Sequence, residues 1–418
     1  MKKTFQKLLS PKRKKLHQNK KKIASITNID LFGKTILLRC DFNVPIKNGK
    51  VLDNFKIKQS LPTIKELLQN RCKVVIISHL GRPKGKLNRK YSLDIVAKEL
   101  SKLLPRKTIK FLRHTIGKDV KGQIKKTKQG QIILLENLRF YQEEEDNDLA
   151  FAHSLAELAN FYVFDAFAVS HRNHCSTTLL PKFIPSVQGL LMQDEVHTIN
   201  SAKQNRKESL WVFGGAKLDK ISVIKYALKH AKWVYVGGAL CFSFLRAKGL
   251  AIGHSKISKE SVKIAKQILS DENSHKIILP TDIVCAKSYS DQSDIITFDI
   301  KHIPNSSIGL DIGSKSCQEL LSYVTKSNQV IWNGPLGYIE NEVFQKSSIM
   351  FLEALFKCHA RTIIGGGETG EFVRSKKKEN QITHMSTGGG AILSLLSGKK
   401  LPACEALHKS AIKYKLIR

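Results

Sequence analysis

No apolar run in this 418-residue sequence approaches the length of a membrane-spanning helix. The longest, such as Val74 to Ile77 and Ile132 to Leu135, are strand-sized and far short of the roughly 18 residues a bilayer demands, so none is expected to span one. Paired cysteines are missing as well. Eight cysteines are scattered between positions 40 and 404 with no Cys-x-x-Cys pair, which argues against a zinc ribbon or a disulfide scaffold. Reduced thiols in a cytosol are the simplest expectation, and the protein is read as cytoplasmic. The phosphate-loop pattern G-x-x-x-x-G-K-[ST] is absent, as are the catalytic-loop and metal-loop motifs of protein kinases, so a nucleotide enzyme of this sequence belongs to another class. Acidic residues are scarce: 35 Asp and Glu stand against 70 Lys and Arg, a net charge of +35. Such a balance suits nucleic acid, an acidic membrane surface or anionic substrates. The basic residues are spread through the whole chain, however, with no basic and aromatic single-strand platform and no helix-turn-helix pattern. No dedicated nucleic-acid partner is therefore expected.

What is present is the composition of a globular chain, 42% hydrophobic and 25% charged. At roughly 100 to 200 residues per domain, the length suggests two or three domains, and two are expected. From Lys34 onward strand-sized runs (Thr35 to Cys40, Val74 to Ser78, Gln131 to Leu135, Phe161 to Asp165) alternate with helical patterns (Ser60 to Gln69, Ser92 to Leu104, Asp148 to Asn160). A second series of strands is expected at Leu210 to Phe213, Trp233 to Val236, Lys276 to Leu279, Gln329 to Trp332 and Arg361 to Ile364. The alternation is a βαβ signature, and the fold class expected is α/β: two doubly wound parallel-sheet (Rossmann-like) domains joined by a hinge helix. The boundaries expected are a basic extension over 1–22, a first domain over 23–188, a hinge helix over 189–205, a second domain over 206–400, and a C-terminal segment over 401–418 free to return to the first domain. The extension holds ten Lys or Arg and no acid, and reads as a solvated, disordered tail rather than a secretory signal.

Glycine clusters punctuate the second half: Gly214-Gly215, Gly237-Gly238, Gly334 with Gly337, Gly365 to Gly367 and Gly388 to Gly390. Most follow an expected strand, where ligands of open α/β sheets bind and where glycine lets backbone N–H groups approach phosphate oxygens. In the first half the basic residues stand at strand ends: Arg39 with Asp41 and Asn43, His79 with Arg82, Arg139, and His171 with Arg172. Several arginine forks around one cleft suit a small polyanion. His171-Arg172-Asn173-His174-Cys175 fits no standard zinc spacing and reads instead as a loop offering donors to an anion.

Arg39-Cys40-Asp41-Phe42-Asn43-Val44-Pro45 resembles the opening motif of phosphoglycerate kinases, and Ser78-His79-Leu80-Gly81-Arg82-Pro83 resembles their second. In family order follow Glu136 to Phe140, Asp165-Ala166-Phe167 leading to His171-Arg172, Gly214 to Lys217, Gly309 to Gly313, Trp332 to Pro335, Gly365 to Gly367 and Ser386 to Gly390, so that the resemblance covers about residues 23 to 410. It implies a glycolytic kinase, a monomer, that moves a phosphoryl group between 1,3-bisphosphoglycerate and ADP to give 3-phosphoglycerate and ATP. The acid would be held by Asp41, Asn43, Lys56, His79, Leu80, Gly81, Arg82, Arg139 and Arg172, with Arg39 supporting the patch. The nucleotide, carrying Mg²⁺, would meet Lys217, Lys220, Asn333, Glu340 and the Gly366-Gly367-Glu368-Thr369 turn, with Glu368 nearest the metal. Arg39, Lys56, Lys217 and Lys220 would carry catalysis. Three positions depart from the resemblance: Lys56 stands where the family has arginine, Glu368 where it has aspartate, and the spacing from Lys217 to Lys220 is one residue short. They imply an altered metal response or a lower turnover. The competing readings are a catalytically impaired relative that binds polyanions and a kinase for another small carboxylate or phosphate.

Overall fold

The strand-sized apolar runs form two six-stranded parallel sheets, described by a computed structural model over residues 23–105, 107–204, 208–217, 220–290 and 294–417. The basic extension over 1–22 lies outside the described residues, as do Leu218 and Asp219 of the short lysine loop. In chain order the first half contains β1 (Thr35–Arg39), a small hairpin of β2 (Ile46–Lys47) and β3 (Lys50–Val51), β4 (Lys73–Ile77), β5 (Ile109–Leu112), β6 (Ile132–Leu135), β7 (Phe161–Phe164) and β8 (Ser186–Gln188). Its helices are α1 (Phe55–Gln69), α2 (Asp94–Leu103), α3 (Lys118–Lys126), α4 (Gln142–Asp146) and α5 (Leu149–Ala156). The sheet runs β5-β6-β4-β1-β7-β8. Its two faces are both buried, because successive side chains of each strand point to opposite sides. Leu37, Val75, Ile133 and Phe164 pack with Val120 of α3 and Phe151 of α5 on one side. Ile36, Leu38, Val74 and Leu134 pack with Ile64 of α1 and Val96 of α2 on the other. The chain leaves β1 for β4 on one side and later returns to β7 on its other side, so the loops after these strands diverge beside Arg39. That is where an open α/β sheet binds its ligand.

The second half repeats the plan after α6 (Leu190–Gln204). Its sheet is built from β9 (Ser209–Phe213), β10 (Trp233–Val236), β11 (Ile277–Ile278), β15 (Gln329–Asn333), β16 (Arg361–Gly365) and β17 (His384–Met385) in the order β11-β10-β9-β15-β16-β17. A separate antiparallel sheet joins β12 (Asp282–Ala286) to β13 (Ile296–Asp299) and β14 (Ile308–Ile312). The helices here are α7 (Ile221–His230), α8 (Leu240–Ala247), α9 (Lys259–Leu269), α10 (Ser314–Thr325), α11 (Lys346–Lys357), α12 (Gly367–Ser375), α13 (Gly389–Leu396) and α14 (Pro402–Lys413). The last returns to the first half, where Ser410 Oγ accepts the Ser186 N–H of β8 at 3.0 Å. The expected fold class is the one observed.

Two differences from the sequence reading have local causes. The antiparallel sheet escapes it because β13 is largely exposed and β14 was read only as the motif Gly309 to Gly313. Helix α1 starts at Phe55 rather than Ser60, because the Asp53 carboxylate accepts the Phe55 N–H at 2.9 Å and satisfies a donor of the first turn.

Helix α6 is tied to both halves of the chain. The Leu190 N–H donates to Thr63 Oγ1 at 2.9 Å and the Met192 N–H to Asp165 Oδ1 at 3.0 Å. Farther along, buried Glu195 accepts the Thr387 N–H and hydroxyl at 2.6 and 2.7 Å and meets His384 Nε2 at 2.9 Å, with Asp194 3.5 Å from the other ring nitrogen. Burial alone would lower the His384 pKa, but the two carboxylates outweigh it and hold the imidazolium up to about 9. A pKa raised on folding stabilises below the unfolded value near 6.5 and loses that contribution as pH rises through the folded one. Unfolding stability should therefore fall by roughly 2–3 kcal/mol between about pH 6.5 and 9. Denaturant titrations of His384→Gln should lack that slope; an unchanged slope would remove His384 as its source.

Candidate active site

At the carboxyl edge of the first sheet, Arg39 ends β1 and is almost fully buried. Its Nε donates to Ser176 Oγ at 3.0 Å, Nη1 to the Cys40 carbonyl, and Nη2 lies 3.2 Å from His79 Nδ1. Ser176 in turn gives its hydroxyl and N–H to the buried Glu144 carboxylate, at 2.6 and 2.9 Å. Sequence reading missed Ser176 and Glu144 because, although each stands close to a motif, nothing in the sequence pairs them with Arg39. Asp41 Oδ1 accepts the Asn43 N–H at 3.0 Å, and Oδ2 takes Lys56 Nζ at 2.8 Å. Asn43 Oδ1 accepts the Gly81 N–H at 2.8 Å, and the Gly81 carbonyl is held by Arg139 Nη1 at 2.8 Å. Gly81 has φ +64°, and a Cβ there would fall 2.3 Å from the Tyr91 ring, so this turn requires glycine. Leu80 is buried and contributes its carbonyl to Asn137 rather than a side chain to the cleft. Arg82 is exposed, without an ion pair among the described residues, and the Arg172 Nε has no hydrogen-bond partner among them.

Charge in this patch is unbalanced. Burial, then the cations Arg39, Arg139, Lys56 and Arg172, push the His79 pKa well below its ordinary value. Burial and the same arginines take His174 down to about 3, and burial with Arg172 lowers His171. Burial also lowers Arg139 to about 10, with Glu145 at 3.3 Å opposing and Arg39 and Arg172 adding to the shift. The histidines are therefore neutral donors and acceptors at pH 7, set among the cationic side chains that lower them. Such a cluster is stabilised by an anion with several oxygens.

The second half offers two cavities that share Lys217 and Glu368 in their linings. A cavity of about 420 Å³ is walled by apolar groups including Phe242, Leu310, Pro335 and Tyr338, with Lys217, Glu340 and Glu368 also lining it. It opens beside a polar one of about 120 Å³ lined by Lys217, Lys220, Asn333, Gly366, Gly367, Glu368 and Thr369. An apolar slot beside a glycine-lined polar pocket suits a base and its phosphates. Lys220 caps α7, is buried, and donates to the Gly214 carbonyl. Lys217 is exposed and pairs with Glu368 at 2.6 Å. Thr369 Oγ1 accepts the Gly334 N–H at 2.8 Å. Asn333 is 2% exposed, yet its Nδ2 has no hydrogen-bond partner among the described residues. A buried donor so placed, beside the free N–H groups that begin α12, is a place for an oxygen anion.

The donor set also bears on Mg²⁺. No group of three or more His, Cys, Asp or Glu able to hold a metal occurs among the described residues. Glu368 is the one carboxylate lining the polar cavity, half-exposed. One carboxylate beside a phosphate pocket fits an ion that arrives with phosphates and keeps its waters, rather than a resident metal.

The family model described as phosphoglycerate kinase matches residues 26–399. The phosphoglycerate kinase of Borrelia garinii subsp. bavariensis is 40% identical over 381 residues, covering 90% of this chain and 97% of that one. That of Dictyoglomus turgidum is 40% identical over 394 residues, 93% of this chain and 99% of its own. Among solved structures, phosphoglycerate kinase from Coxiella burnetii superposes with a TM-score of 0.81 at 32% identity, over 93% of this chain and 99% of that one. The enzyme from Pyrococcus horikoshii OT3 gives 0.84 at 29% identity, over 94% and 100%.

Proposed function

The chain belongs to the phosphoglycerate kinase family, and from that premise we propose that it transfers the acyl phosphoryl group of 1,3-bisphosphoglycerate to ADP, giving 3-phosphoglycerate and ATP, reversibly. The observation that carries this reading is the surplus of buried and half-buried cations at the end of β1, faced with neutral histidines and paired with a glycine-lined pocket in the other half.

In the forward reaction a terminal oxygen of ADP bonds to the phosphorus, the bond to the acyl oxygen breaks, and the carboxylate leaves with its electron pair. Little covalent help is required; position and charge neutralisation carry the rate. Arg39, His79, Arg82, Arg139 and Arg172, with Asp41, Asn43 and the Gly81 turn, hold the acid and its phosphate. Lys217 and Lys220 meet the nucleotide phosphates, Asn333 the transferring group, Glu340 the ribose, and the Gly366 to Thr369 turn offers N–H donors. Lys56 neutralises charge on the moving phosphoryl group. Glu368, the carboxylate lining the polar cavity, would hold a Mg²⁺ ion arriving with the nucleotide, which would supply further charge neutralisation. Closure about α6 brings the halves together and excludes water that would hydrolyse the acyl phosphate. The protein works as a cytoplasmic monomer in glycolysis and gluconeogenesis.

A coupled assay with phosphoglycerate and ATP tests the reading. Turnover is expected with both Mg²⁺ and Mn²⁺. Because Mg²⁺ tolerates displaced ligands poorly, Glu368→Asp should raise the Mg²⁺ rate relative to the Mn²⁺ rate by roughly threefold or more. Absence of phosphoglycerate-dependent turnover with either ion would refute the assignment.

A further inference from the structure

Helix α12 begins at the glycine turn that carries Glu368, and its last turn reaches the other half of the molecule. There Arg374 Nε donates to Asp53 Oδ2 at 2.7 Å, and the guanidinium lies over the Phe55 ring, 4.5 Å from its centroid. The other oxygen of Asp53 accepts the Phe55 N–H at 2.9 Å, so one carboxylate both starts α1 and receives the arginine. The next residue of that first turn is Lys56, which spans to Asp41. Room for the arginine is provided within its own helix: a Cβ on Gly370 would stand 2.9 Å from Arg374 Nη1.

These contacts connect two parts of the site that sit on different sheets. A lysine is a point charge on a flexible stem, without the planar fork that lets an arginine align itself on phosphate oxygens. Its direction therefore depends on how firmly its backbone is held. Asp53 and Phe55 fix that backbone, and Arg374 holds both.

We propose that Arg374 is a positioning residue for phosphoryl transfer: by clamping Asp53 and Phe55 it sets the first turn of α1, and so Lys56, relative to the glycine turn at the opposite end of α12. The clamp forms when the halves approach, so closure and the aiming of Lys56 become one event. The inference rests on the phosphoryl-transfer reading above. The Arg374 and Asp53 side chains are 19% and 25% exposed, so the pair is partly screened, and a cation–π stack adds a comparable amount. Together they should bias closure by roughly five- to tenfold.

The test compares Arg374→Gln and Gly370→Ala with the native full-length chain. The first removes the cation; the second displaces it while keeping its charge. For both, kcat should fall roughly five- to tenfold, while 3-phosphoglycerate and Mg·ATP each bind alone within about twofold of native. The gap between native and Arg374→Gln should narrow at high salt, as the pair is screened. Small-angle scattering of the chain loaded with both substrates should show a larger radius of gyration in the variants. A native kcat in both variants overturns the proposal, as does a loss matched by weaker binding of one substrate alone. If the native chain fails to turn over, the phosphoryl-transfer reading falls, and scattering still decides the clamp: equal compaction with and without Arg374 refutes it.

Discussion

Arg39→Met should lose about 3–5 kcal/mol of stability at neutral pH and at least about 100-fold in turnover. The reason is what the guanidinium leaves behind. Arg39 is 1% exposed, and its Nε meets Ser176, whose hydroxyl and N–H are both given to the buried Glu144 carboxylate. Burial already raises the Glu144 pKa, and Arg39 is the largest influence pulling it back. With methionine in its place, a buried carboxylate remains without its principal counter-charge, and breaking such a set by removing one member is among the costly single substitutions. The pH dependence separates this cause from simple loss of packing. An acid whose folded pKa lies above its unfolded value is stable when protonated and loses that contribution as pH rises. Acidifying toward pH 5 should therefore recover part of the deficit in Arg39→Met, whereas a packing defect would not respond. Denaturant titrations at pH 5 and pH 8 with turnover at pH 8 decide it. A stability within 1 kcal/mol of native at pH 8 would mean that Glu144 finds other compensation.

The position of Arg39 was legible because it follows a strand-sized run and precedes Asp41 and Asn43, a pattern local in sequence. The Ser176 and Glu144 support was not. Ser176 lies 137 residues beyond Arg39, and Glu144 stands in a run of acids with nothing in the sequence to mark it as the buried one. The glycine clusters divide in the same way. Taken together the clusters point in sequence to a phosphate-rich ligand, yet several of their glycines answer to contacts with protein. A Cβ on Gly214 would lie 2.1 Å from the Pro335 carbonyl, and one on Gly388 would lie 2.9 Å from Ala168 Cα in the first half. Among the clustered glycines Gly367 alone faces open space, and Gly366 and Gly389 have no contact closer than 3.4 Å. Only these three present backbone to a ligand without obstruction, and all line or border the polar cavity. Spacing identifies glycine; distinguishing a turn that must approach a ligand from one that must approach a neighbouring chain segment requires knowing what lies across from it. The Arg374 clamp was invisible for the same reason, since Asp53 is 321 residues away in sequence.

Lys56→Ala should lower kcat by about 10²- to 10³-fold while weakening 3-phosphoglycerate binding by less than about tenfold, because a charge aimed at the moving phosphoryl group matters most in the transition state. The side chain is 26% exposed and spans to Asp41 at 2.8 Å, so it is neither buried enough to be structural nor free enough to wander. Lys56→Arg should do the opposite of a conservative exchange and raise kcat a few-fold, since a planar fork engages two oxygens at once. Steady-state rates with directly measured affinities separate these outcomes; a Lys56→Ala enzyme within threefold of native would take Lys56 out of the transfer step. The same variant also isolates the clamp. If Arg374 also acts by aiming Lys56, then Arg374→Gln added to Lys56→Ala should cost clearly less than the roughly five- to tenfold it costs alone, a coupling that independent sites do not produce. If instead the two losses multiply, Arg374 serves closure alone, and the aim of Lys56 comes from Asp41.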